Sequence, residues 1–427
     1  MSTRLRNWFF FPIRTPKRAA LSAALAALLA FAGWYGERSL RFRRDYGAAK
    51  DALARYDFPE ARQRLASCLE LRTSDPAARL LAVQAARRDG LLDEAQEHLD
   101  RYGELLDVST PAGNLQDLLL RVQRGQVKEF VHTLLDDLEV RHPESEQILE
   151  SLALGCQHAY RLDEASFWIK QLLNRFPHNP TGRLLDAQMH ETMRRRDRAV
   201  EIMCGLLEDY PRNDKARFYL AGLLSASRQY EEAVHHFRDL HRRQPAEIKP
   251  LLGLVRALLP LDRFDEAVPL LHRLEEEHAD NTEAVLECGR FALRQKRPED
   301  ALRLLRRAVL QAPNDHEIHL ELAVCLRQLD RADESDQHLQ RHKQIEADMK
   351  LLESAFQAMV KAPADPAPRV AAGQICLRNG DKSEGLRWLI GALEIAPNHP
   401  AAHAALADYY AAERDFTRAN YHRQRAR

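Results

Sequence analysis

Glycine is scarce, 17 residues in 427, and no run of them is available to cradle a phosphate. H-E-x-x-H, a nucleophile elbow and a strand-rich region that could hold one are also missing, so catalysis finds little footing in the chain. The six cysteines (Cys68, Cys156, Cys204, Cys288, Cys325, Cys376) form no C-x-x-C pair, and most fall on apolar positions of a periodic pattern. Buried free thiols are expected there rather than disulfides or metal ligands. Neither sign of charge is in excess: Lys plus Arg is 63 and Asp plus Glu is 63. Nothing global therefore directs the chain to nucleic acid, and no cofactor is implied. With 45% hydrophobic and 30% charged residues, the composition suits an all-helical body.

What is present is a period. Ala165, Ala199, Ala233, Ala267 and Ala301 stand 34 residues apart. Each is followed four residues later by a large apolar side chain (Ile169, Met203, Phe237, Leu271, Leu305). Twelve residues after most of them stands a proline (Pro177, Pro211, Pro245, Pro313). Backwards the register reaches Val131, Ala95 and Ala61, with about two extra residues near 110–113. Forwards it reaches Ser335, then slips by 16 to Gly385, where Gly373 and Leu389 confirm the unit, and ends at Ala419. This grammar resembles the tetratricopeptide repeat family. The resemblance implies an all-α, right-handed solenoid of about eleven helix-turn-helix units and a concave face that binds protein or peptide. In each unit the alanine opens the second helix where it crosses the first, apolar residues at i, i+4 and i+7 form a buried stripe, and the proline ends the helix.

Residues 19–36 read differently. They form an uncharged run, AALSAALAALLAFAGWYG, about 27 Å long as a helix and flanked by basic residues. A single-pass membrane anchor is expected, with two alternatives: a cleaved signal peptide, because Ala30-Phe31-Ala32 is an acceptable cleavage triplet, and a soluble helix. Residues 1–18 form a basic and aromatic leader. Basic residues are balanced on the two sides, so orientation leans only slightly to an extracytoplasmic repeat domain. Units one to nine are expected over 42–342, an extended helix and linker over 343–365, and units ten and eleven over 366–427. Membrane-anchored repeat proteins of lipopolysaccharide assembly are similar in layout, but their C-terminal four-cysteine metal module has no counterpart here.

Two features carry functional expectations. From Ala332 to Lys361 there is no Gly or Pro, which predicts one helix about 45 Å long. Its stripe of Ile345, Met349, Leu352, Phe356 and Met359 should pack over units nine to eleven, or else serve as a self-association seam over 345–359. His338 and His342, four apart, read as surface histidines rather than ligands. The resemblance also implies that positions 2, 5, 9, 12 and 13 of each first helix line the groove. Position 5 holds Leu184, Phe218, Leu252, Leu286 and Leu320, so the family's clamp for a chaperone carboxylate is absent. Positions 9, 12 and 13 place Arg256, Arg290, Arg294 and Arg327 in units seven to nine as a basic stripe. The stripe either grips an acidic partner segment or is neutralised by Glu287, Glu321 and other neighbours. An interaction scaffold tethered to a membrane is the expected function. An accessory subunit of an envelope enzyme, or an atypical metal-dependent enzyme, is the alternative.

Overall fold

The computed structural model describes residues 16–106, 110–139 and 145–426, with side chains from residue 24 onward apart from Phe31 and residues 135–139. The described residues form eleven helix pairs and no strand. The helix α1 (Pro16–Ala54) pairs with α2 (Phe58–Leu71), α3 (Pro76–Arg88) with α4 (Leu92–Leu106), and α5 (Pro111–Gln123) with α6 (Val127–Glu139). Then come α7 (Ser145–His158) with α8 (Leu162–Arg175), α9 (Pro180–Thr192) with α10 (Arg196–Asp209), and α11 (Asp214–Ala226) with α12 (Tyr230–Arg243). The last five are α13 (Ile248–Leu258) with α14 (Phe264–Glu277), α15 (Thr282–Arg294) with α16 (Pro298–Gln311), α17 (His316–Gln328) with α18 (Ala332–Lys361), α19 (Ala367–Arg378) with α20 (Lys382–Ile395), and α21 (Pro400–Ala412) with α22 (Phe416–Arg425). The described residues fall into two compact bodies, divided after Leu120.

The repeating residues explain the repeating geometry. Ala61, Ala95, Ala165, Ala199, Ala233, Ala267 and Ala301 are fully buried, and Ser335 and Ala419 nearly so. At these points the second helix lies against the first and leaves room for little more than a methyl group. Gly253 shows how tight the approach is: a Cβ there would stand 2.4 Å from Cε1 of the buried Phe237 ring. Asn179, Asn213, Asn281 and Asp75 cap first helices by accepting from the backbone N–H three residues on, each worth about 1 kcal/mol. Every turn inside a pair ends in one left-handed residue: Gly90, Gly125 and Gly380, but also Tyr56, Tyr160, Arg194, Arg228, Asp262, Lys296, Asp330 and Arg414. That conformation lets the next N–H reach back into the helix end, as Arg161 N–H does to Cys156 O at 2.8 Å. Each non-glycine residue accepts roughly 1–2 kcal/mol of backbone strain in return.

A further position recurs. Arg79, Arg183, Arg217, His319, Arg369 and His403 each lie sixteen residues before the small residue of their unit, and each donates to the carbonyl six residues earlier, five of them from a proline. The turn between units is thereby pinned from inside. In unit two Arg79 also donates to Nδ1 of His98, and in unit six Arg217 donates to Nδ1 of His236. In units nine and eleven histidine replaces the arginine, giving Nδ1 to Nδ1 pairs of His319 with His338 (2.9 Å) and His403 with His422 (2.8 Å). Burial lowers each partner histidine from its usual value and so favours the uncharged ring.

Several sequence expectations need correction. Among the described residues no helix is long and apolar enough to cross a membrane, which overturns the single-pass anchor over 19–36 and the membrane localisation built on it. Eight of those eighteen residues are alanine, whose methyl carries little transfer energy. The run is also no separate element. It belongs to α1, which continues through Glu37, Arg38, Arg41, Arg43, Arg44 and Asp45 into unit one, where Phe42, Ala49 and Ala52 are buried. Residues 1–15 and the proline at 143 lie outside the described residues. Helix α18 has the expected limits, but its stripe is shifted: Ile345, Asp348, Ala355 and Met359 are buried, Leu352 and Phe356 half-buried, and Met349 exposed. The heptad reading missed Asp348 because a carboxylate is not an apolar residue. It is buried because Arg378 and Asn379 of unit ten bind it. Five cysteines are buried free thiols, whereas Cys204 is exposed.

Two outcomes follow from this packing. Gly253→Ala should cost ~1–3 kcal/mol through overpacking against Phe237, read as faster hydrogen exchange in α12 and α13. Acid should also loosen the body of residues 121–427. His236 is held down to about 4 by burial and then by Arg217, while His338 and His422 are lowered by burial and then by His319 and His403. Unfolded, each titrates near its usual 6.5, so below that pH the unfolded chain binds more protons. The thermal midpoint should hold above pH 6.5 and fall steadily toward pH 4. His236→Gln should make that fall shallower.

Candidate functional site: the first-helix face of units five to nine

First helices of successive units lie beside one another: α11 against α13, α13 against α15, and α15 against α17. Behind them a continuous core runs from Ala187 to Leu326. Residues at positions 2, 5, 6 and 9 of each first helix are spaced to share one face. Arg256 and Arg290 stand on this row at position 9, with Arg327 and Arg294 about a turn further along at positions 12 and 13, and the structure finds none of the four free. Arg256 donates to buried Glu287 (2.7 Å) and pairs with Glu283 (3.0 Å). Arg290 meets Glu287 (2.9 Å), Glu317 (2.8 Å) and Glu321 (3.0 Å). Arg294 turns back to the carbonyl of Leu259 at 2.7 Å, where the 3-10 turn Leu259–Leu261 closes α13. Arg327 pairs with Asp336 at 2.8 Å, both largely exposed.

The expected basic stripe is therefore an arginine–glutamate ladder crossing three units. Burial alone would lower Arg256 and Arg290, but the facing carboxylates, Glu287 foremost, outweigh it and raise both. Glu317 is lowered, since Arg290 outweighs the effect of its burial. Glu287, only 2% exposed, is the centre of the ladder, with a guanidinium on each side. Sequence reasoning named Glu287 and Glu321 as candidate partners but left pairing and plain solvation of the arginines open beside each other. The deciding fact is the lateral spacing of the helices. Around the ladder the same row exposes apolar side chains: Phe218 on α11, and Leu320 and Val324 on α17.

His338 and His342 do not lie on open surface. Both are half-buried against α17, His338 facing His319 and His342 stacked on His316 (5.9 Å, 17°) with Nδ1 donating to the His316 carbonyl. Among the described residues no group of three or more His, Cys, Asp or Glu is arranged to hold a metal ion.

The ladder makes a prediction that the stripe would not. Arg290→Ala should destabilise the protein by roughly 3 kcal/mol, because it strips a buried carboxylate of one partner. Arg327→Ala should stay within about 0.5 kcal/mol, as exposed pairs do. The double reversal Arg256→Glu with Arg290→Glu should impair folding, since it would replace both guanidinium partners of buried Glu287 by carboxylates. Chemical denaturation of the three variants separates these outcomes.

Comparison with known proteins places the repeat. No curated protein matches the chain. Among solved structures, it is similar to MamA from residue 41 onward from Desulfovibrio magneticus RS-1 (15% identity, 38% of this chain and 91% of that one, TM-score 0.32). It is similar to the human IFIT1 dimer with m7Gppp-AAAA (14%, 82% and 89%, TM-score 0.42). It is also similar to YrrB, described as a TPR protein with an unusual peptide-binding site (18%, 48% and 98%, TM-score 0.28). At such scores none of the three carries an argument about ligand or curvature. The tetratricopeptide repeat family model matches residues 224–287 and 292–349. Those stretches take in every member of the ladder except Arg290, and they match the tetratricopeptide repeat.

Proposed function

We propose that the chain is a protein-interaction scaffold rather than an enzyme, and that the first-helix face of units five to nine binds an extended polypeptide segment. Tetratricopeptide folds commonly bind peptides or proteins. The observation that carries the reading here is the exposure of Phe218, Leu320 and Val324 on the same row as the ladder. Large apolar side chains left in water beside ordered charges are what a ligand can cover with profit in area, while the charges set its register.

The partner favoured by this face is not simply acidic. Arg256, Arg290, Arg294 and Arg327 already have acceptors, and Glu283 and Glu317 stand among them still partly exposed. A segment of mixed charge with two or three apolar anchors fits better, because it can add to the ladder without leaving a carboxylate unpaired. Burying Val324 and Leu320 under such anchors would contribute about 1 kcal/mol or more each.

A random peptide library displayed on phage, selected on the immobilised protein, tests this. Selected peptides should share apolar anchors and lose at least about tenfold in affinity to Val324→Arg, the ~1.4 kcal/mol of one lost anchor. They should be indifferent to Leu310→Arg, a change at an exposed site on the second helix α16. Equal effects at both positions, or none at Val324, would move the binding face elsewhere.

A further inference from the structure

The arc from unit four to unit ten is joined at its ends. Tyr160 and Arg194 are the left-handed turn residues of units four and five, and both reach residues far along the chain. The Tyr160 ring stacks on Trp388 of α20 (centroids 3.5 Å, 25°) and lies 6.1 Å from Phe356 of α18. Its hydroxyl donates to Glu384, and its carbonyl accepts from Arg369 at 3.1 Å. Arg369 is the turn-pinning arginine of unit ten. It is 3% exposed, and it holds its own Pro363 carbonyl and that of Tyr160 together. Beside this contact Arg194 pairs with Glu353, and Gln357 donates to the Thr192 carbonyl (3.5 Å). Lys128 of unit three donates to the Glu394 carbonyl (2.8 Å). The sixteen extra residues of α18 supply the reach, since a second helix of ordinary length would stop near residue 345. The long helix thus packs on units nine and ten, as its stripe suggested, and returns to units four and five, while unit eleven lies against α19 and α20.

We infer that the turn tips of units four and five and the strap α18–α20 form a releasable clasp that holds the arc at one curvature and so governs access to its first-helix face. This rests on the groove reading above, whose site it regulates. Three observations make the clasp weaker than the stacking of neighbouring units. One side contributes a single aromatic, Tyr160, to a small core of Ala355, Met359, Ala372, Cys376 and Trp388 that stands apart from the main one. The Arg194–Glu353 pair is 68% and 51% exposed, which makes it worth ~0–1 kcal/mol. An open cleft of about 360 Å³ lined by Arg194, Glu353, Ser354, Gln357, Ala358 and Lys361 borders the joint on the same side. By contrast, units five to nine share one unbroken core. When the ends part, the stack, the exposed pair and the hydrogen bonds to Glu384 and to the Tyr160, Thr192 and Glu394 carbonyls are lost, while each helix pair keeps its own neighbours. The arc can then relax and alter the spacing of α9, α11, α13, α15 and α17, where a ligand lies.

The turn geometry supplies a clean variant. Tyr160→Gly and Arg194→Gly keep a left-handed backbone that glycine adopts without steric cost, so both turns survive while their clasp side chains go. Arg228→Gly, the same change at the exposed turn of unit six, is the control. In small-angle scattering of the ligand-free chain the double variant should show a larger radius of gyration than the control. Hydrogen exchange should quicken at 353–361 and 382–388. If the open form is about a tenth of the wild-type population, affinity for a library-selected peptide should rise about tenfold. Scattering and exchange indistinguishable from Arg228→Gly would overturn the clasp. An opened arc with unchanged affinity for a peptide that Val324→Arg still abolishes would overturn its control of the groove and leave the groove reading intact. An opened arc that selects no peptide in either state would overturn the groove reading itself.

Discussion

A helix pair of this size has two apolar sides and can cover neither alone. Everything else in the chain depends on that constraint. Stacking covers both sides at once, and it works only if the helices approach closely enough for side chains to interlock. The fully buried alanines and the contact of Gly253 with Phe237 mark that distance. Because each unit then presents the same face at nearly the same offset, residues 34 apart in sequence become lateral neighbours. The ladder is the direct product: Arg256, Glu287, Arg290 and Glu321 meet across units because stacking turns sequence period into spatial contact.

The turns inside the pairs show how a repeating fold takes on local cost. Eight of the eleven left-handed residues are not glycine. A glycine would avoid the strain but would present no side chain at the tip. At units four and five the tip side chains have other uses, since Tyr160 and Arg194 bind the strap. The turn-pinning position behaves similarly. Arg369 pins its own turn as its counterparts do, and also holds a carbonyl from unit four. In both cases a residue required by the repeat gained a second contact without changing its first.

Much of this was legible in advance. The helix pairs, their number, the limits of α18 and the burial of the alanines follow from periods of 3.6 and 34 residues, which are local and survive without knowledge of any long-range contact. The register told less about the arginines. Spacing placed Arg256 and Arg290 on one face, but whether Glu287 would reach both depended on a lateral distance between helices that no single repeat specifies. Residues 19–36 misled for a related reason. A window of uncharged residues was read as an element, while the helix that contains it runs on through charged residues into the first unit.

The sequence by itself thus determined the unit: where each helix begins and ends, which side chain sits at each crossing, and that neighbours must stack. The tertiary structure alone decided how the stack bends and what its ends meet. Curvature is the sum of small rotations at each interface. Over the six interfaces from unit four to unit ten those rotations bring together two aromatic rings, Tyr160 and Trp388, that share no pattern in the sequence. Local periodicity encodes an interface. It does not encode an accumulated angle, and the joint between units four and ten exists only because of that angle.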